Sequence, residues 1–364
     1  MSDMEALLWD GRSYPEGLVW TKIARPKARP GWVVVKNHET GICGSDLHYL
    51  SGAMRHQIPE ANLPAVLGHE NVGIVVEVGE GVEDFAVSDR VALEPLHPCR
   101  TQGVSLCPAC QVGQYHLCAN LGFVGIPNRL RLPGGFGQYS MYHHSTLFHL
   151  PESVSFEDAA ILDVLACGVH ALRVGQPAPG HIVVVLGCGA IGLDMLQCLR
   201  AVGVRDLVAV ARYPFQANAA QQLGARHVVC LADEPDPVSA VLRLTGGADQ
   251  VYECVGGTAD TVQQAIDMCR PGGRIVVLGF FSGIRPINLS TMFLKELRIQ
   301  ASDAYSTWGA RREFDIALQL LANGQVDHAS LITHRFSRTD WAAALDVAFH
   351  KREHQGIKVV LTAT

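Results

Sequence analysis

Hydrophobic patterning divides this chain into two textures. Up to about residue 150, apolar residues come in short β-branched runs broken by Gly and Pro. Trp32-Val33-Val34-Val35-Lys36 and Val72-Gly73-Ile74-Val75-Val76-Glu77-Val78 are examples, each with turn signals beyond it. This pattern predicts a compact, mostly antiparallel, barrel-like domain. From about residue 155 continuous apolar runs alternate with helical periods: 181–186, 207–211, 228–230, 250–254 and 274–278. Strands of this kind are buried on both faces, as in a parallel sheet covered by helices. Helices are expected over 190–202 and 213–223, closed by Gly203 and Gly224, which can adopt the left-handed cap conformation. A further helix (311–323) and a last strand (357–361) follow, and the strand is expected to return to the first domain. The fold class is α/β, a doubly wound parallel sheet beside a barrel.

Size and composition narrow the classes. A chain of 364 residues suggests about two domains. With 18% charged and 48% hydrophobic residues it is a packed globular protein. Net charge is -6 and no Lys/Arg run stands out, which argues against nucleic acid and anionic membranes as partners. The start, Met1 to Glu5, is acidic and unlike a secretory signal. No stretch of about 18 uncharged apolar residues is present. Eleven cysteines is an odd count, which fits reduced thiols used for metal better than a disulfide framework. A cytoplasmic location is the expectation.

Gly187-Cys188-Gly189-Ala190-Ile191-Gly192 follows the strand ending at Leu186 and opens a helix. Between strand and helix this spacing is the Rossmann dinucleotide fingerprint. The first Gly makes the tight turn, the second admits pyrophosphate to the backbone, and the third lets helix and strand pack closely. The anion then sits at the helix N-terminus. The second strand of such a unit usually ends on an acid that holds a free ribose hydroxyl. Here it ends Val210-Ala211-Arg212-Tyr213-Pro214, without a carboxylate. Arg212 can grip a 2′-phosphate bidentately, so the cofactor is read as NADP(H), with NAD(H) as the alternative.

Two groups have the chemistry of metal sites. Cys43-Gly44-Ser45-Asp46-Leu47-His48 and Gly68-His69-Glu70 bring thiolate, imidazole and carboxylates into Gly-bounded segments. These are zinc's preferred ligands, and a catalytic zinc takes three and leaves one position open. Cys99, Cys107, Cys110 and Cys118 include a C-x2-C unit, and four thiolates make a closed, structural site.

Taken with a DVLACGVHAL segment (Asp163 to Leu172), these motifs stand in the order found in zinc-dependent medium-chain alcohol dehydrogenases, which the chain resembles over nearly its whole length. The resemblance implies a GroES-like catalytic domain over 1–160 and 306–364, with a zinc lobe at about 95–120, and a Rossmann domain over 161–305. It implies Cys43, His69 and Asp163 as catalytic-zinc ligands, with Glu70 beside the metal. Ser45 and His48 match a proton relay, and Asp46 matches the carboxylate that fixes the zinc-bound His. One departure concerns the lobe. The family's spacing is C-x2-C-x2-C-x7-C, whereas here the first gap holds seven residues, Arg100 to Leu106. The added residues either loop out and leave Cys99 a ligand, or weaken the site.

Other residues receive plainer readings. His143, His144 and His149 are assigned to a strand and a turn, without metal. Cys167, Cys188, Cys198, Cys230, Cys254 and Cys269 read as small buried apolar residues. Tyr305 and Trp308 read as aromatic core, with a place lining the substrate cleft as the alternative. The stretch 49–62, with Arg55, His56, Gln57, Glu60 and Asn62, is polar and favours a hydroxylated substrate. The reading is a zinc-dependent, NADP(H)-linked oxidoreductase of a secondary alcohol, polyol or sugar, or of the corresponding carbonyl. The alternatives are an NAD-linked polyol or sugar dehydrogenase and a dinucleotide-binding protein without turnover. Relatives assemble as dimers or tetramers with sheets joined edge to edge, which implies an interface through 297–302.

Overall fold

The long strand Trp32–Gly41 organises the first unit of the computed structural model, which describes residues 3–363. Along one edge it pairs antiparallel with Glu70–Val78. Along the other it pairs antiparallel with Tyr139–His143 and then with Lys358–Thr362. Arg90–Leu93, Leu147–His149 and Ile332–Ser337 complete a seven-stranded sheet. A second, three-stranded sheet has the order Leu18–Ala24, Asp3–Trp9, Ala65–Val66. Alternating residues of the long strand explain the packing. Val33 and Val35 join Val75, Val91, Leu93 and Tyr142 in one core, while Trp32 and Val34 pack on the other face with Met141. The last strand, Lys358–Thr362, lies in this unit.

In the second unit six parallel strands stand in the order His227–Cys230, Asp206–Ala211, Ile182–Leu186, Ala248–Glu253, Cys269–Val277, Arg298–Ala301. Numbered within the unit this is 3-2-1-4-5-6, the doubly wound order that places a ligand crevice where the chain reverses direction. The strand Ile182–Leu186 lies at that reversal, registered against Val208 on one side and Val251 on the other. Its Val183, Val184 and Val185 are fully buried, which accounts for a run without polar alternation. The helix Ala190–Ala201 follows it, and Gly203 beyond the helix end has φ +90°.

The chain divides between Asp163 and Val164 and between Leu331 and Ile332. Residues 306–331, expected with the first domain, therefore group with the second unit. Glu313, which opens the helix Glu313–Ala322, ties them there. Its carboxylate accepts hydrogen bonds from the backbone N–H of Ser306 (2.6 Å) and from Arg173 Nε (2.5 Å), and meets His170 Nδ1 at 2.7 Å.

Candidate metal centre and dinucleotide site

The segment Cys43 to Leu50 folds as a one-residue cap followed by the helix Gly44–Leu50. Asp46, in its first turn, is fully buried, and each of its carboxylate oxygens has a task. Oδ2 accepts the backbone N–H of Cys43 (2.9 Å), and Oδ1 faces His69 Nδ1 at 3.5 Å. One carboxylate thus orients both residues and leaves His69 Nε2 to the other side, 3.4 Å from Ser45 Oγ. The ligand atoms of Cys43, His69 and Glu70 lie within 4.8 Å of one another. Burial opposes a charge on His69, but the charges of Asp46 and Cys43 outweigh it and raise its pKa well above the ordinary value. A corner that draws a proton this strongly is electrostatically suited to a cation, and its sulfur, nitrogen and oxygen donors fit zinc.

Glu70 opposes Gly41 in the register of their two strands. The missing side chain matters, because a Cβ at Gly41 would lie 2.0 Å from Glu70 Oε2. Across from it, Lys358 Nζ is 2.7 Å from Oε1 and 2.5 Å from Oε2. Asp163, in the first turn of the helix Leu162–Gly175, is half-buried and does not join the three clustered ligand atoms. Its charge is felt by Tyr142, whose pKa is raised chiefly by burial. His48 is half-buried in the last turn of its helix, and burial together with the charge of Lys351 lowers its pKa.

The four lobe cysteines also converge, with all four sulfurs within 4.8 Å of one another. The lengthened gap loops out. Cys99–Gln102 forms a 3₁₀ turn ended by Gly103 at φ +66°, and Val104 to Leu106 are exposed. The insertion is tolerated because loop-closure entropy grows slowly, about 0.6 kcal/mol for each doubling of length. The N–H groups of Cys110 and Ala119 bring the Cys107 thiol down to about 6, whereas burial raises Cys110 and Cys118. Four sulfurs in this arrangement fit a closed zinc site.

In the second unit Gly187 turns the chain at φ +101°, and a Cβ at Gly192 would lie 1.8 Å from Gly187 O. A Cβ at Gly189 would meet nothing within 4 Å, and Gly189 caps the helix Ala190–Ala201 without a side-chain hydrogen bond. Open space thus lies beside free N–H groups at a helix N-terminus, where a pyrophosphate fits. Arg212 is exposed just past the strand Asp206–Ala211, with Cζ 5.4 Å from the Tyr213 ring.

Comparison with known proteins agrees with both units. The profile "Alcohol dehydrogenase GroES-like domain" matches residues 29–152, and "Zinc-binding dehydrogenase" matches 190–323. The sorbitol dehydrogenase of Bacillus subtilis is 31% identical over 319 residues, 87% of this chain and 86% of that protein. The D-xylulose reductase of Saccharomyces cerevisiae is 33% identical over 343 residues, 92% of each chain. The chain belongs to the zinc-dependent medium-chain dehydrogenase/reductase family. As a member it is an NAD(P)-dependent enzyme of the type that acts on alcohol CH–OH groups. A crystal structure of an Escherichia coli oxidoreductase/dehydrogenase of unknown specificity superposes with TM-score 0.89 at 28% identity, covering 100% of both chains.

Several sequence expectations for this dehydrogenase meet the structure unevenly. Cys167 is half-buried, unlike the other five cysteines read as apolar, which are buried. Tyr305 is core, packed on Phe314, but Trp308 is 43% exposed. The polar stretch 49–62 is partly engaged, within itself and with the segment at 127–128. Arg55 donates to Ile58 O and to Glu60, Asn62 donates to Pro127 O and Asn128 O, and the backbone N–H of Gln57 donates to Met54 O. Sequence reasoning missed Lys358 and Gly41. The signal for Lys358 was a lone charge in the apolar run Ile357 to Leu361.

Proposed function

We propose that this dehydrogenase transfers hydride between NADP(H) and a polyol- or sugar-type secondary alcohol or its ketone. The observation that carries the reading is the gathering of Cys43, His69 and Glu70 ligand atoms within 4.8 Å. Cys43 and His69 hold a catalytic zinc, with Glu70 or Asp163 in the third position. When bound, the ion supplies Lewis acidity toward the substrate oxygen. Asp46 keeps His69 in the tautomer that offers Nε2. Ser45 Oγ receives the proton of the alcohol and His48 passes it outward. The depressed pKa of His48 keeps it neutral near pH 7 and able to accept that proton.

Gly187, Gly189, Ala190, Ile191 and Gly192 cradle the pyrophosphate. Arg212, beside Tyr213, grips the ribose phosphate, and its exposed guanidinium leaves both edges available. The kinship with sorbitol dehydrogenase and D-xylulose reductase supports a hydroxylated small-molecule substrate. An NAD-linked polyol dehydrogenase is the second reading, favoured by a solved Escherichia coli alcohol dehydrogenase complexed with NADH, 26% identical with TM-score 0.86. The enzyme works as a homodimer or homotetramer. Two copies pair along the outer edge of Arg298–Ala301, flanked by the exposed Phe293 and Leu294.

Reduction of NADP+ and NAD+ by a panel of polyols, sugars and simple secondary alcohols tests the proposal. A higher kcat/KM for polyols with NADP+ is expected. Equal or better use of NAD+ selects the second reading, and best turnover on simple aliphatic alcohols removes the polyol assignment.

A further inference from the structure

The lengthened first gap of the cysteine lobe carries its own compensation. Leu96–His97 and Gly122–Phe123 pair as a short ribbon that joins the chain entering the lobe to the chain leaving it. Gln102, inside the added segment, repeats that closure one step further out. Its Nε2 donates to His97 O and to Asn120 O, each at 2.5 Å. The two carbonyls belong to opposite limbs, so a single amide ties both.

Asn120 then reaches two of the four sulfurs. Its backbone N–H donates to Cys118 Sγ at 3.2 Å, and its Nδ2 donates to Cys99 Sγ at 3.3 Å. Arg129 Nη2 donates to Asn120 Oδ1 at 2.8 Å. Because a guanidinium can only donate, it fixes which end of the Asn120 amide is oxygen, and so turns the NH2 end toward Cys99. Four thiolates around one divalent ion carry an excess of negative charge. N–H donors and a cation behind them offset it, and partners of this kind commonly govern metal affinity 10–100-fold.

We infer that Gln102, Asn120 and Arg129 are positioning residues that hold the four-cysteine lobe around its metal in spite of the longer gap. The inference rests on the reading of the lobe as a zinc site. It explains how Cys99 keeps its place although seven residues, rather than two, separate it from Cys107.

The test uses the full-length protein, as purified for zinc release and cadmium-exchanged for NMR. Zinc release into a chromophoric chelator and the cadmium resonance of the four-thiolate site are measured for wild type, Gln102→Glu, Asn120→Asp and Arg129→Ala. Gln111→Glu is the control, since Gln111 Nε2 donates to Leu106 O on the exposed segment. Expected is a roughly tenfold or greater rise in release from the lobe for the first two variants. Their four-thiolate resonance should shift while the resonance of the catalytic corner stays in place. Arg129→Ala alters only an exposed side chain, so it remains informative if another variant fails to fold, and a rise of a few-fold is expected. Wild-type release and unshifted resonances in the variants overturn the inference. Absence of a four-thiolate cadmium resonance in wild type overturns the reading of the lobe itself, and the inference with it.

Discussion

Lys358 and Glu70 form a buried ion pair, Nζ to Oε1 2.7 Å, although they lie 288 positions apart in sequence. Glu70 follows the proposed ligand His69, and Lys358 lies on the strand that closes the chain. Burial opposes the charge on Lys358, but the negative charges of Glu70 and Cys43 outweigh it and raise its pKa. The pair fixes the carboxylate next to the metal corner. Removing one partner of a buried pair leaves an uncompensated charge, at a cost of about 3–5 kcal/mol. Lys358→Met is therefore expected to lower stability by about that amount in denaturant unfolding of the metal-free protein. Zinc that draws on the Glu70 charge should make the loss smaller, and the double variant with Glu70→Gln should recover most of it. A loss unchanged in the double variant would show that the charge is not the cause.

Cofactor choice is expected to follow Arg212. A charge-assisted contact of about 1.5–3 kcal/mol corresponds to roughly 10–100-fold in kcat/KM. Arg212→Asp should reduce kcat/KM for NADP+ by that factor and leave NAD+ as good or better. An unchanged ratio in steady-state kinetics would remove Arg212 from the phosphate site.

His97 makes stability depend on acidity. It is fully buried, stacked on Trp32 at 5.1 Å between centroids, and neither ring nitrogen has a hydrogen-bond partner among the described residues. Burial, with smaller contributions from His143 and Arg29, pushes its pKa down from 6.5 to about 3. The folded state therefore holds this ring neutral where the unfolded chain would protonate it. The stability it contributes is complete above pH 6.5 and is lost as the pH falls toward about 3. The slope in that window is up to about 1.4 kcal/mol per pH unit from this group. His97→Phe keeps an aromatic ring for Trp32 and removes the titration. Its unfolding midpoint in urea should vary less between pH 6.5 and 4 than that of wild type. Parallel curves for the two proteins would count against the assignment.

Assembly is expected to depend on the outer edge of Arg298–Ala301. Phe293 and Leu294 beside it are 80% and 78% exposed, a large apolar display for a surface without a partner. The double substitution Phe293→Glu and Leu294→Glu should give a folded protein of monomer mass by light scattering. A dimer or tetramer of undiminished stability would place the interface elsewhere.

The sequence made the chemistry legible where it is local. Each motif of the dinucleotide turn and of the cap-and-helix segment Cys43 to His48 contains its own geometry within a few residues. The C-x2-C unit is equally self-contained, and it marked the lobe. What was not legible depends on pairing across the chain. Lys358 is meaningful only against Glu70, and Gly41 only through the strand register that sets it opposite that carboxylate. The same holds for Glu313, which draws residues 306–331 into the second unit through His170 and Arg173. The polar stretch 49–62 was legible only as composition. Composition reports how many polar groups a loop has, but not that Arg55 and Asn62 are already engaged in holding it.

The most direct test of the central claim is turnover measured against metal content. Reduced nicotinamide formation from NADP+ and a polyol substrate would be followed before zinc removal with a chelator, after it, and after zinc is restored. The account predicts that turnover is lost with the zinc and regained on reconstitution, and that Cys43→Ser and His69→Ala neither hold the catalytic equivalent nor turn over. Undiminished turnover in protein shown to contain no zinc would contradict it.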